Sequence, residues 1–406
     1  MRSIWIPLLV ATSLLAACSS DAPVLEILEV PPTSGVGGGG AGQVANFPSS
    51  GSGGGSGGAD LGVIRFDDAA IDLGRAGAFP SDLAADSKGV LYTVDGDQVP
   101  CKVLAFASDG GTAPLATIPI GPSDLVDMDG TTPALSVTSF GSGLFGAYTG
   151  DLAIAFDRWL LVTVGAGNSI SSDTSGPRYL ANLLVIDTAL NKVVQTVNLA
   201  WSLSRTGNFA RGGTFQSVTQ SIPSSVMFLP AGDGTRSGKI HVALSNGLGD
   251  SFGLSDYFPG TVQEWDVDFN ESEPVKAVSA KGSVTRTYLS RHYNPVALSA
   301  YVAADGRRTL ILTAAGASRF DASYILQPLN SAYLEFLDLD SDQWQPNWEI
   351  NLGPVLPSVT PLAHGTDETG RRFALLTSQT FGAVYAVELS GLESNPVDSS
   401  RIRLLR

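Results

Sequence analysis

One unit recurs along this chain and limits what it can fold into. An alternating strand is followed by a turn rich in Asp, Gly and Arg, then by a second apolar strand. Leu83-Ala84-Ala85-Asp86 with Val90-Leu91-Tyr92-Thr93-Val94 is one copy, and Leu152-Ala153-Ile154-Ala155 with Leu160-Leu161-Val162-Thr163-Val164 is another. Further turns of this kind fall around Asp233-Gly234, Asp305-Gly306 and Asp367. The other half of the unit is a strand ending in Asp, a turn and a fourth strand. Leu184-Val185-Ile186-Asp187 running to Lys192-Val193-Val194 is its clearest copy, with looser ones at 262–270, 333–342 and 384–390. Four short strands per unit, repeated with little helical periodicity, predict an all-β chain. The expected fold is a β-propeller of five to seven four-stranded blades, and five units are complete.

The turn aspartates follow from backbone chemistry, because Asp, Asn and Gly tolerate the positive φ of tight hairpin turns. Val63-Ile64-Arg65-Phe66 and Ala70-Ile71-Asp72-Leu73 form a further strand-like pair. They are expected to pair with the C-terminal strands near Arg401-Ile402-Arg403-Leu404, closing the ring and removing an exposed edge. Units are spaced roughly 70 residues apart, against about 40–50 for an ordinary blade. The excess falls between second and third strands, at Gly165–Asn182, Asn246–Thr261 and Ala315–Ala332, and between units, at Pro119–Gly150, Arg205–Pro223 and Arg286–Pro295. In a propeller both kinds of connection emerge on one face, and loops on a rigid scaffold commonly carry function.

The segment Leu184 to Val194, a strand ending in Ile-Asp-Thr and continuing into Asn-Lys-Val-Val, resembles the YVTN and NHL propeller families. Pro80-Ser81-Asp82-Leu83-Ala84-Ala85-Asp86 with Gly89-Val90-Leu91-Tyr92 resembles the start of such a blade. Only these two units keep the letters as well as the pattern.

The N-terminus carries a different signal. Arg2 precedes an apolar-to-small run from Ile4 to Ala17, and Leu15-Ala16-Ala17-Cys18 closes it. The run suits an export signal and falls short of the about 20 residues that span a bilayer. The pattern resembles bacterial lipoproteins. That resemblance implies cleavage before Cys18, acylation of Cys18, and durable anchoring in a lipid bilayer by two or more chains. It places the protein in the bacterial cell envelope, and Ser19 after the cysteine favours the outer membrane. Gly37-Gly38-Gly39-Gly40 and Gly53-Gly54-Gly55 mark a flexible tether with a reach of roughly 35 Å. The expected divisions are 1–17 signal peptide, 18–60 lipidated cysteine and disordered tether, and 61–406 propeller.

Composition narrows the partners. A formal charge of −15, from 39 acidic and 24 basic residues, argues against nucleic acid, which needs a basic footprint. Cys18 and Cys101 are the only cysteines, so lipidation of Cys18 leaves no intramolecular disulfide. Cys101 is expected to be a half-buried small apolar residue.

The long connections are rich in arginine and aromatics: Arg178, Tyr179, Phe209, Arg211, Phe252, Tyr257, Arg291, His292, Arg319 and Tyr324. These residue types favour the centres of interfaces, and they also pin loops to a scaffold. Asp124, Asp127 and Asp129, before Gly130 and near Asp95 and Asp97, are the candidate metal ligands, since closely spaced carboxylates suit Ca²⁺. Turn formation or plain solvation accounts for the same aspartates more readily than a metal does. Asp266, Asp268 and Asn270, like Asp338, Asp340 and Asp342, repeat at one blade position and read as hairpin chemistry. Gly249-Asp250-Ser251-Phe252-Gly253 matches a nucleophile elbow in letters but lacks the strand-to-helix context the motif requires. His241, in an alternating strand, is expected to be a satisfied core or channel residue.

Three readings of function stay open. The first is an anchored binding or scaffold module presenting a loop-built face to a protein or glycan. The second is a divalent-cation-dependent propeller hydrolase of the lactonase type, which the scarcity of Glu in the loops counts against. The third is a structural subunit of an envelope complex. No catalytic residue is assigned.

Overall fold

The computed structural model describes residues 44–46, 63–66, 80–95, 101–107, 113–126, 139–140, 146–166, 181–199, 207–208, 214–215, 222–249, 255–276, 285–302, 306–320, 326–355, 363–367, 369–378, 383–392 and 401–405. The signal peptide, Cys18 and most of the tether lie outside them.

The described chain is almost entirely strand. β1 (Val44–Asn46) and β2 (Val63–Phe66) come first. Sheet I holds β3 (Pro80–Ala85), β4 (Val90–Asp95), β5 (Cys101–Ala107) and β6 (Ala116–Ile120), paired in that order. Sheet II adds the short β7 (Ser139–Phe140) ahead of β8 (Gly146–Ala155), β9 (Trp159–Ala166), β10 (Ala181–Asp187) and β11 (Lys192–Asn198). A ribbon of β12 (Gly207–Asn208) and β13 (Thr214–Phe215) precedes sheet III, which holds β14 (Ile222–Pro230), β15 (Ser237–Gly249), β16 (Ser255–Asp268) and β17 (Arg286–Tyr293). Sheet IV starts with β18 (Pro295–Val302) and β19 (Arg308–Ala314). After a ribbon of β20 (Ser318–Phe320) and β21 (Leu326–Pro328), it continues with β22 (Ala332–Asp338). Its outer place is shared by β23 (Gln343–Trp344) and β24 (Ile350–Gly353), both paired to β22. Sheet V is β25 (Ala363–Asp367), β26 (Arg372–Ser378), β27 (Ala383–Glu388) and β28 (Ile402–Leu405), extended beyond β25 by β2 and β1. Five four-stranded antiparallel meanders in sequence order are the blades of a β-propeller.

The core explains why the strands are so uniformly apolar. Sheets II, III and IV are covered on both faces, so successive side chains serve two different cores. In β10, Leu184 and Ile186 join Val94, Val103 and Ile118 of sheet I, while Leu183 and Val185 join Ile240, Val242 and Trp265 of sheet III. Val262 and Tyr288 pack with Leu298, Leu310, Leu312 and Leu337 across III and IV. Phe336 and Trp348 pack with Ala374, Leu376 and Val387 across IV and V. Cys101 is fully buried in the first of these cores, deeper than its expected half-buried place.

The first strands are stitched side by side. Asp151 of β8 accepts hydrogen bonds from Ser225 Oγ and from Val226 N of β14, the latter at 2.9 Å. Ser225 Oγ in turn accepts from Leu298 N of β18 at 3.0 Å. One run of polar contacts therefore links the innermost strands of sheets II, III and IV.

The hairpin turns gather at one end. Thr188 N donates to Arg158 O, Phe269 N to Arg236 O and Leu339 N to Arg308 O at 2.9 Å, and Leu389 N to Arg372 O at 2.8 Å. In four sheets, then, the residue after the acidic end of the third strand bonds an arginine carbonyl of the first turn. Second-to-third and sheet-to-sheet connections must emerge at the opposite end, as the unit pattern predicts. The aspartates behave as hairpin caps: Asp338 Oδ1 accepts from Asp340 N at 2.9 Å and Ser341 N at 3.2 Å, and Asp268 Oδ1 accepts from Asn270 N at 3.1 Å.

Several expectations are corrected. β2 does not pair with Ile402–Leu405; it pairs with β25, at the opposite edge of the same sheet. β28 is occupied as the outer partner of β27, which leaves β25's inner edge for the N-terminal strand. Val44–Asn46, inside the segment expected to be coil, forms a strand against β2. Arg286–Pro295 is not a connection but mostly the fourth strand of sheet III, with Tyr288 and Ser290 buried at period two. Asn246–Thr261 is largely a hairpin extension, because β15 and β16 stay paired out to Gly249 and Ser255.

Candidate functional site

The junction of sheets III and IV holds two clusters of buried charged groups, around Glu335 and around Glu264. At the connection end, β17 leaves its sheet through Tyr293 and Asn294. Asn294 takes the left-handed φ of 56°, which asparagine tolerates better than most residues. Ala315 N and Gly316 N hold the carbonyls of Asn294 and Tyr293 at 2.8 and 3.0 Å, fixing this corner to sheet IV.

Just before the corner, the strand meets a buried carboxylate. Glu335, on β22 and 1 % exposed, accepts from Ser290 Oγ at 2.7 Å, Arg291 N at 2.8 Å and His292 N at 3.1 Å. Burial pushes its carboxyl above the usual range, and these donors hold the shift in check. Arg291 and His292 then converge on a second carboxylate, Glu349. Arg291 Nε lies 3.0 Å from Glu349 Oε2 and His292 Nε2 lies 2.7 Å from Glu349 Oε1. The His292 ring is stacked flat on Tyr333, with centroids 3.6 Å apart and planes 1° from parallel. Tyr333 Oη accepts from Asn351 Nδ2 at 3.1 Å, and Asn351 Oδ1 accepts from Gly353 N at 2.8 Å. His292, Tyr333 and Asn351 are thereby held in one orientation, while Glu349 Oε2 accepts no hydrogen bond and the Arg291 side chain, paired to it by charge alone, remains 45 % exposed.

A second cluster occupies the turn end of the same junction. His241, fully buried on β15, has Nε2 3.2 Å from Glu264 Oε2 on β16. Its Nδ1 has no hydrogen-bond partner, so this histidine is buried as expected but only half satisfied. Lys239 pairs with the other oxygen of Glu264. Burial alone would raise the Glu264 carboxyl, but the bonds from His241 and Lys239 outweigh it and bring it down to about 2. Tyr288 Oη donates to Asp342 Oδ1 at 2.9 Å across the junction, Arg286 pairs with Asp342, and burial pushes the Tyr288 hydroxyl well up.

Of the candidates read from sequence, Arg291 and His292 are brought together here. Arg178, Tyr179, Phe209, Arg211, Phe252 and Tyr324 lie outside the described residues. So do Cys18, Asp127, Asp129 and the Ser251 of the elbow-like motif. Tyr257 and Arg319 fall on β16 and β20. Asp124 sits in a 3-10 turn, where its Oδ2 accepts from Gly121 N at 2.9 Å. Among the described residues no three or more His, Cys, Asp or Glu side chains are grouped to hold a metal. Tyr333, Glu335, Glu349 and Asn351 were missed because they sit on or beside strands rather than in the long connections. Glu335, a charge inside the otherwise apolar run Tyr333–Leu337, was the available signal.

No family model matches this chain, and no curated protein matches it. Solved structures with distant likeness include a functionally unknown protein from Desulfotomaculum acetoxidans, at 11 % identity and a TM-score of 0.36, covering 85 % of this chain and 95 % of that one. A mutant of AofleA from Arthrobotrys oligospora has 8 % identity and a TM-score of 0.40, with 84 % and 78 % covered. An endo-arabinase from Bacteroides thetaiotaomicron has 11 % identity and a TM-score of 0.33, with 79 % and 93 % covered. The fold assignment rests on the sheet order itself.

Proposed function

We propose that this protein is a lipid-anchored binding module of the bacterial envelope, with an acylated Cys18, a Gly-rich tether and a propeller that engages a protein or glycan partner through its connection end. The observation that carries the binding reading is the Arg291–Glu349 ion pair. A half-exposed guanidinium lies against a carboxylate and beside a stacked His292–Tyr333 pair, where a turn would need no such arrangement. Fixing side chains before contact lowers the ordering cost of binding. The anchor rests on Leu15-Ala16-Ala17-Cys18 and the preceding apolar run, and the YVTN/NHL kinship on Leu184 to Val194.

Two measurements test the parts separately. Full-length protein should label with a palmitate analogue and sediment with membranes, and Cys18→Ser should abolish both; a Cys18→Ser product still held on membranes would overturn the anchor. Partners recovered in mild detergent by the wild type should be lost with Arg291→Ala and with Glu349→Ala. A partner kept by both variants removes this end of the sheet III–IV junction from the interface.

A further inference from the structure

We infer that the ligand taken at the Arg291–Tyr333–Asn351 surface is a neutral glycan, recognised through vicinal hydroxyl groups; this rests on the binding reading above and names its chemistry.

The first argument is charge. Arg291 is the exposed cation of the site, and Glu349 lies against its Nε at 3.0 Å, so its charge is already matched. The chain carries −15 overall, which repels an anionic partner at long range. A carboxylate- or phosphate-bearing ligand is thus poorly served.

The second argument is the balance of donors and acceptors. Arg291 meets Glu349 by charge alone, since Glu349 Oε2 accepts no hydrogen bond, so its guanidinium N–H groups are left to donate. Tyr333 Oη accepts from Asn351 and keeps its own hydrogen to donate. Asn351, exposed, spends one lone pair of Oδ1 on Gly353 N and keeps the other. The surface therefore offers donors beside an acceptor. A pair of sugar hydroxyls, each of which donates and accepts, matches that arrangement.

The third argument is shape. A sugar also has C–H faces that pack against apolar surface. Here the Tyr333 ring is locked by its stack on His292. Leu289, 44 % exposed, lies two residues from Arg291 on the same face of β17. The exposed part of Leu289 is thus an apolar contact beside Arg291.

The site is also built, not improvised. Glu335 holds Arg291 N and His292 N from within the junction, so the spacing of these groups is set by the packing of two sheets.

The test is titration calorimetry of the full-length protein in mild detergent against neutral oligosaccharides (xylohexaose, cellohexaose and maltohexaose), with oligogalacturonate as the charged comparator. Saturable binding to at least one neutral oligosaccharide is expected, weakened about tenfold or more by Arg291→Ala and by Asn351→Ala. Asn351 is exposed, so its variant reports on binding even if Arg291→Ala misfolds. Arg308→Ala, at the turn end, should leave the affinity unchanged. Absence of saturation with every neutral oligosaccharide, or binding of oligogalacturonate alone, overturns the inference. If in that case a protein partner is still lost with Arg291→Ala, the binding module stands and only its ligand class falls.

Discussion

Glu335 of β22 accepts the backbone N–H of Arg291 of β17 at 2.8 Å, across the junction of two sheets and 44 residues apart in sequence. A buried carboxylate in one blade thus sets the position of an exposed arginine in the next.

That relationship predicts a stability cost. Glu335→Ala leaves the N–H groups of Arg291 and His292 and the Ser290 hydroxyl without their acceptor, and it should destabilise by about 1–3 kcal/mol. The midpoint of urea unfolding checks it; an unchanged midpoint would show that Glu335 does not hold β17.

The ionisation of Glu335 has its own pH signature. Its folded pKa is raised by burial, so the folded state holds the proton more tightly than the unfolded state. Stability from this group is greatest below the unfolded carboxyl value of 4.5 and falls as pH rises through the raised value. Glu335→Gln should therefore gain on the wild type as pH increases above about 4.5, measured as the difference in melting temperature. A difference flat with pH contradicts the prediction.

Glu264 should behave in the opposite sense. Its folded pKa is lowered to about 2 from 4.5. Its contribution, about 3 kcal/mol, is present above 4.5 and lost as pH falls towards 2. Glu264→Gln should remove most of that acid limb from the stability profile, leaving a shallower slope between those values.

Packing at the same junction gives a steric test. A Cβ on Gly260 would overlap the ring of Pro295, at the start of β18, and come within 3.1 Å of Leu244 O. Gly260→Ala should cost about 1–3 kcal/mol by overpacking, whereas Leu190→Ala, at an exposed hairpin tip, should stay within about 0.5 kcal/mol. Equal unfolding midpoints for the two variants would contradict this packing.

The core between sheets II and III gives the largest expected loss. Trp265 is fully buried there, and Trp265→Ala should destabilise by about 3–5 kcal/mol, read as the shift in urea midpoint.

Much of the fold was legible because its determinants are local. Leu183 to Ile186 is buried on both faces, so a continuous apolar run marks the strand. Asp187, Asp268, Asp338 and Asp367 bond backbone N–H groups within a few residues, so hairpin chemistry is written where it acts. Arg286–Tyr293 was the weak point. Its alternation of exposed and buried residues is that of a strand, but its arginines and His292 resemble a connection when composition is weighed first.

The sequence by itself determined most of the strands and their turns and bounded the blades at five to seven, because alternation and turn preference act over a few residues. Only the tertiary structure decided where the N-terminal strand pairs and what Arg291 faces. Val63–Phe66 would satisfy any open edge, and β28 had already taken the outer one. Arg291, Tyr333, Glu335 and Glu349 meet only once sheets III and IV pack together. The burial that makes Glu335 informative is a product of that packing, marked in the sequence only by a charge inside the apolar run Tyr333–Leu337 and not by any spacing to Arg291 or Glu349.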